Sequence, residues 1–372
     1  MKNKNTWLSA LIWFGAAISV AEVEAGREIG ANWSALLYGH LLGGLILFAA
    51  GLIGARLRQG AMATTTSAFG DKGARFFAFL NVVQLIGWIA VMNEQTTHAL
   101  TELNACFDSP ITHIVLSALV GLWVIIGILK TTRLATLAMG ALAVLMAYLS
   151  YRLFGDASLP QATEKTMPFW TAFELSAAMP LSWAPVIADY TRTAERPVRQ
   201  SGLSALVYTF ASIWMYVIGM MLGGTETTLP AAIVLHKLIA VGIPILIVST
   251  VTTNLLAAHS AGESALVVCR KFNAKVVVAV SVALAAAISI TVGEEHYITF
   301  LLFIASVFAP MAAVLITSHF FVKRAAPKWN FIAWVVGFIV YHVANRYQIA
   351  PTPISLTLSA LLAAGARLLP KK

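Results

Sequence analysis

Residues 174–185 read Glu174-Leu175-Ser176-Ala177-Ala178-Met179-Pro180-Leu181-Ser182-Trp183-Ala184-Pro185 inside an apolar run spanning about 170–189. Each of the two prolines removes a backbone donor and crowds the preceding turn, so a helix here must be interrupted. Near the amino end a second apolar run carries Gly15-Ala16-Ala17-Ile18-Ser19-Val20-Ala21-Glu22, small residues closed by a carboxylate. Unpaired backbone at bilayer depth is tolerated only where it lines a cavity or a ligand. Two interrupted helices at corresponding places in a chain point to a binding site between them.

The composition says that these runs lie in a bilayer. Of 372 residues, 59% are apolar and 11% charged, against about 25% charged in a soluble domain. Mean hydropathy is +0.80. These values exclude an ordinary soluble enzyme, a disordered tail and a secreted disulfide scaffold. The net charge of +9 is spread in small groups beside apolar runs, so no nucleic-acid partner is expected. Cys106 and Cys269 fall on opposite sides of the expected topology, which argues against a disulfide.

Apolar runs between polar breaks predict an all-α, polytopic membrane protein of about twelve spans. They lie near 7–26, 33–55, 75–93, 111–129, 134–153, 170–189, 203–222, 231–260, 275–292, 297–322, 330–345 and 352–369. The eighth run is longer than a span and is expected to include a short outer helix around His236 and Lys237, before Pro244. Twenty Lys/Arg fall on one side of this topology and five (Arg27, Arg152, Lys165, Lys237, Arg346) on the other. The basic side faces the cytoplasm, which puts both termini there. A secretory signal over 2–21, with Ser19-Val20-Ala21 as its cleavage site, is disfavoured because the apolar run continues without a stop.

Spans 1–5 and 6–10 occupy blocks of similar length, and an odd number of spans makes the second block enter from the opposite side. That is the outline of an inverted transporter repeat. It divides the chain into 1–153, 154–322 and a pair of additional helices in 323–372.

The sequence resembles the nucleobase–cation symporters in Gly15–Glu22, in Gln84-Leu85-Ile86-Gly87-Trp88, and most specifically in Met179-Pro180-Leu181-Ser182-Trp183-Ala184-Pro185-Val186-Ile187-Ala188-Asp189-Tyr190-Thr191-Arg192. Within that family it is most similar to the hydroxymethylpyrimidine permease branch, associated with thiamine-precursor salvage. The resemblance covers spans 1–10. It implies the LeuT-type five-plus-five fold with two extra helices, alternating access, and import of a small heterocycle across a bacterial inner membrane. It implies no cofactor beyond a coupling ion, sodium or proton, and no obligate protein partner. Two features depart from the family: a short Gly26–Gly30 connection, and a span 10 ending Ile316–Phe321 without an acidic residue.

For sodium, the resemblance implies backbone carbonyls near Ile18 and Ala21 with the hydroxyls of Ser249, Thr252 and Thr253. Hard cations take such oxygen ligands, although membrane Ser and Thr also bond their own helix carbonyls. For a heterocycle it implies stacking on Trp88 and Trp183, with Gln84 fixing the polar edge; Asn254, which follows the hydroxyl pair, reads as a further residue facing the substrate. Gln84 as an interhelical hydrogen bond and the tryptophans as packing residues are the plainer readings. Glu22 stands alone as a carboxylate within a span, where insertion costs at least ~2.5 kcal/mol. It reads as a substrate ligand, a proton acceptor, or a residue at a solvated outer end with Glu24 and Arg27. His259 and His40 read as structural, His40 through close packing at Gly39, Gly43 and Gly44. Asp189 and Arg192 read as a salt bridge, and Glu94, Glu102, Asp108, Glu294 and Glu295 as solvated ends. An integral-membrane enzyme is the competing class. Neither a zinc-protease HExxH nor a Gly-x-Ser-x-Gly elbow occurs, and the eight histidines are scattered.

Overall fold

The computed structural model describes residues 4–126, 132–155, 167–223, 228–293, 296–322 and 326–368, and among these all regular structure is helical. Of the charges used above, Lys2, Lys130, Lys165, Glu294, Glu295, Lys323, Arg324, Lys371 and Lys372 lie outside the described residues.

The first run forms two helices, α1 (Lys4–Ala17) and α2 (Val20–Ile29), bent by 52° at the break. Ser19 stops α1 by adopting extended backbone (φ −147°, ψ 157°), and its hydroxyl accepts the Glu22 N–H at 3.3 Å to open α2. This is the N-cap role for which Ser is favoured. There follow α3 (Trp33–Leu57), α4 (Ala61–Thr64), α5 (Thr66–Leu103), α6 (Pro110–Ile126) and α7 (Thr132–Gly155). α5 is kinked at Gly70, whose φ of 66° and ψ of 178° suit a residue without a Cβ. It continues ten residues past the expected end of span 3, so Glu94 and Glu102 lie within the helix.

The proline-rich stretch forms α8 (Phe169–Ser182) and α9 (Ala184–Thr191). The interruption is slighter than the two prolines suggest. Only Trp183 separates the helices, and its backbone stays near the right-handed helical region (φ −90°, ψ −9°). Pro185 falls at the start of α9, where a missing N–H costs no helical bond.

The remaining helices are α10 (Pro197–Gly223), α11 (Leu229–Leu235), α12 (Ile239–Val268), α13 (Ala274–Thr291), α14 (Tyr297–Thr317), α15 (Pro327–Arg346) and α16 (Pro351–Ala364). The expected short helix before span 8 is α11. It ends before His236, and α12 runs through Pro244 rather than starting after it.

Six helices among the described residues are long and apolar enough to cross a bilayer, and the bent α1–α2 pair makes seven. The protein is an integral membrane protein. The main packing seams are α5 on α12, α3 on α8, and α2 on α10. The last two helices are tied to the broken one by Glu174, whose carboxylate oxygens accept the Thr352 N–H at 2.8 Å and hydroxyl at 2.6 Å. Glu174→Ala leaves both donors buried without an acceptor. It is expected to cost about 1–3 kcal/mol, read as a lower melting temperature in detergent; an unchanged value would show that the tie carries no stability.

Candidate functional site

The site is built where the two interruptions meet α5, α10 and α12. Glu22, in the first turn of α2, is 1% exposed and turns to α10, not to solvent. Its Oε1 accepts the Tyr208 hydroxyl at 2.7 Å and its Oε2 the Ser212 hydroxyl at 2.6 Å. The contacts continue from Ser212 Oγ to His40 Nε2 at 2.7 Å, and from His40 Nδ1 to Ser176 Oγ at 2.7 Å. Ser176 then donates to the Leu36 carbonyl at 2.7 Å. One buried polar chain thus joins α2, α10, α3 and α8. His40 packs closely, as its glycine neighbours suggest, but it is also the centre of this chain. The sequence reading missed that role, together with Tyr208, Ser212 and Ser176.

On the other side, α5 lays amides along the α8–α9 junction. Asn81 Nδ2 donates to the Pro185 carbonyl at 3.0 Å, and Gln84 Nε2 reaches toward the Ser182 carbonyl at 3.4 Å. These are backbone oxygens on either side of Trp183. Trp88, one turn beyond Gln84, packs edge-on against Tyr297 and Phe300 with ring centroids 6.2 and 5.6 Å away. The Tyr297 hydroxyl in turn donates to the Ala21 carbonyl at 2.9 Å. Trp183 belongs to a different cluster, with centroids 5.7 Å from Trp13 and 6.3 Å from Tyr208. The structure therefore places the two tryptophans in separate aromatic groups. Asn254 donates to Asn93 Oδ1 at 2.9 Å and joins α12 to α5. Gln84 Oε1, Asn254 Oδ1 and the indole N–H groups of Trp13 and Trp88 are buried without a protein partner. Such orphans are rare in a finished interior and call for a ligand, a water or a functional reason.

The expected ion ligands are brought together in part. Thr253 donates to the Gly15 carbonyl at 3.2 Å as well as to Ser249 O at 2.9 Å, joining α12 to the end of α1. Ile18, Ser19 and Ser249 line one small cavity of about 10 Å³, about the space of one water. The hydroxyls of Ser249 and Thr252 donate to carbonyls of their own helix, at 3.0 Å to Leu246 and 2.8 Å to Val248. The Ala21 carbonyl is turned to Tyr297.

At the end of the bundle expected to face the cytoplasm, Asp189 accepts the Ala61 N–H at 2.8 Å, which starts α4. The ion pair of Arg192 is with Glu263 at 2.5 Å, correcting the expected Asp189–Arg192 bridge. α12 approaches α9 closely enough to supply the nearer carboxylate. His259 lies 3.4 Å from the Tyr190 hydroxyl. Among the described residues no group of three His, Cys, Asp or Glu could hold a metal ion.

No family model and no curated protein matches the chain. Solved structures do. The chain resembles Mhp1, a nucleobase-cation-symport-1 family transporter, in a closed conformation with bromovinylhydantoin bound; the TM-score is 0.75 at 18% identity over 97% of this chain and 91% of that one. An inward-facing conformation of Mhp1 gives a TM-score of 0.73 at 18% identity, over 98% and 90%. A substrate-bound, outward-open Na+-coupled sialic acid symporter gives 0.72 at 14% identity, over 98% and 90%. At these identities the likeness establishes the fold, the LeuT-type arrangement shared by these transporters.

Proposed function

We propose that the protein is a cation-coupled secondary transporter that imports a small nitrogenous heterocycle by alternating access. The preferred substrate is hydroxymethylpyrimidine. The observation that carries the reading is the junction of the broken first helix with α12, where Thr253 reaches the Gly15 carbonyl; Asn254, the next residue of α12, and Gln84 of α5 each keep a buried, partnerless amide oxygen. Twelve spans, the inverted blocks 1–153 and 154–322, the added pair 323–372 and two cytoplasmic termini complete the proposal.

In this reading Gln84, Trp88 and Asn254 contact the heterocycle, with Trp183 closing the aromatic side. Glu22 is the weakest of the expected substrate ligands, since both of its oxygens already accept hydroxyls. Sodium sits at the break near Ile18, against Ser249 and Thr253, with Thr252 one turn along. The Ala21 carbonyl joins only if Tyr297 releases it. A hydantoin is the second reading for the substrate, favoured by the fold shared with a transporter solved with bromovinylhydantoin; cytosine, a purine and allantoin are further members of the same class.

The test is uptake of radiolabelled hydroxymethylpyrimidine, cytosine and a hydantoin into proteoliposomes, with sodium and pH gradients imposed separately. Accumulation of the pyrimidine against a gradient is expected. Failure of all three compounds to accumulate would remove the reading. Changing Thr252 and Thr253 together to alanine is expected to raise the sodium concentration for half-maximal uptake about tenfold or more, the loss of at least one ligand bond. An unchanged sodium dependence would take these hydroxyls out of the ion site.

A further inference from the structure

Buried amides at the α5–α9 and α5–α12 seams are bonded so that the orientation of each is fixed. Asn81 Nδ2 donates to the Pro185 carbonyl at 3.0 Å and the Ser264 hydroxyl at 2.8 Å. A carbonyl only accepts, so the nitrogen of Asn81 must point there and its oxygen toward Gln84. Gln84 Nε2 donates to that oxygen at 2.6 Å and toward the Ser182 carbonyl at 3.4 Å. This leaves Gln84 Oε1 without a partner.

The second seam repeats the arrangement. Asn254 Nδ2 donates to Asn93 Oδ1 at 2.9 Å and toward the Ile89 carbonyl at 3.4 Å, while Asn93 Nδ2 is held by the Ser117 hydroxyl at 2.6 Å. Asn254 Oδ1 is left partnerless. Asn81, Asn93 and Asn254 are 0% exposed and Gln84 4%, so all four amides are buried. In both cases an asparagine of α5 absorbs the donor end of the neighbouring amide and frees its acceptor end. One turn beyond Gln84, the Trp88 indole offers a partnerless N–H.

We propose that Asn81 and Asn93 are positioning residues that present the oxygens of Gln84 and Asn254 to the ligand, so that the site selects heterocycles carrying N–H or O–H donors. A ring acceptor is met by Trp88. This rests on the assignment of Gln84 and Asn254 to the substrate pocket. It goes further in stating the polarity of the pocket and the residues that set it. An exocyclic amine or a ring N–H fits such a pocket. A ligand of the same shape with only acceptors meets oxygen with oxygen.

The experiment compares binding of two probes to the full-length protein in detergent: 4-amino-5-hydroxymethyl-2-methylpyrimidine and its 4-methyl analogue, which has nearly the same volume but no donor at that position. The parent chain is expected to bind the amine about tenfold to a hundredfold more tightly, the range for leaving a buried acceptor unpaired. Asn81→Ala frees the Gln84 amide to turn. It is expected to weaken the amine about tenfold while leaving the methyl analogue unchanged, so the ratio falls toward one. Asn93→Ala makes the same test at the other seam and decides the matter if Asn81→Ala does not fold.

A purely structural role would weaken both probes in parallel and preserve the ratio; that result in the variants overturns the positioning proposal. A parent chain without preference for the amine overturns the donor selection. Gln84→Leu and Asn254→Leu separate the two levels. If these leave both affinities unchanged, the pocket assignment itself fails, and if neither probe binds the parent chain, the pyrimidine reading falls and the donor selection with it.

Discussion

Glu22→Leu is expected to leave little folded protein, whereas Glu22→Gln is expected to keep thermal stability close to that of the parent chain. The leucine removes the acceptor of two buried hydroxyls, those of Tyr208 and Ser212. Each buried donor left without a partner costs about 1–3 kcal/mol. Tyr208 is left with no acceptor, while Ser212 has only His40 Nε2 to turn to, which forces a change of tautomer on the ring and spreads the loss toward α3 and α8. A total on the order of 3–5 kcal/mol is a large part of the stability of an ordinary domain. The bonds alone would matter less. In membranes an interhelical hydrogen bond averages only about 0.6 kcal/mol, because the separated helices also find partners. The orphaned donors in a packed seam are what make the leucine severe.

The glutamine has the same shape and supplies both kinds of contact. Its oxygen accepts from Tyr208, and its amide N–H donates to Ser212, whose own hydroxyl then turns to His40 Nε2. The measurement is the melting temperature and the monodisperse yield of the two variants in detergent. Equal losses for leucine and glutamine would show that the polar chain does not hold these helices, and Glu22 would return to the substrate side.

How far the sequence leads can be read from the same residues. The first break was legible because small residues, a Ser that caps and a carboxylate interrupt an apolar run, and the structure breaks between Ala17 and Val20. The second was legible in place but not in degree. Pro185 starts the new helix, and the amides of α5 reach the carbonyls beside Trp183. Local sequence cannot announce that compensation from about a hundred residues away. The length of α5 was hidden because Glu94 and Glu102 look like a solvated end, yet the helix runs to Leu103. The role of His40 was not legible, since its partners lie 136 and 172 residues further on. One signal was available and unused: Tyr208, Ser212 and Tyr216 recur every four residues of α10 and share a face. That face carries the hydroxyls that receive Glu22, and Tyr216 lies edge-on to His40 at 4.7 Å.

Gly219→Val is expected to abolish both folding and uptake, and Gly219→Ala to come close. A Cβ at Gly219 meets the Val23 carbonyl oxygen in direct overlap, with Arg27 N at 2.7 Å and Gly26 C at 2.9 Å. A Cβ at Gly26 likewise meets the Tyr216 backbone. All of these are main-chain atoms, so no side chain can swing aside and α2 must move off α10 as a body. Restoring ordinary contact of about 3.5–4.0 Å requires a displacement of roughly 1 Å or more. Small residues are what let membrane helices approach this closely. Glu22 sits on the helix that would be displaced, and its bonds to Tyr208 and Ser212 at 2.7 and 2.6 Å would not survive such a shift. The steric and polar losses therefore fall together. Gly121→Ala is the control: it also lies in an apolar helix, but nothing stands within 4 Å of its added Cβ, and yield and uptake are expected to stay unchanged. If Gly219→Ala folds and transports like Gly121→Ala, then α2 and α10 do not cross as closely as the structure has them, and the seating of Glu22 on α10 fails with it.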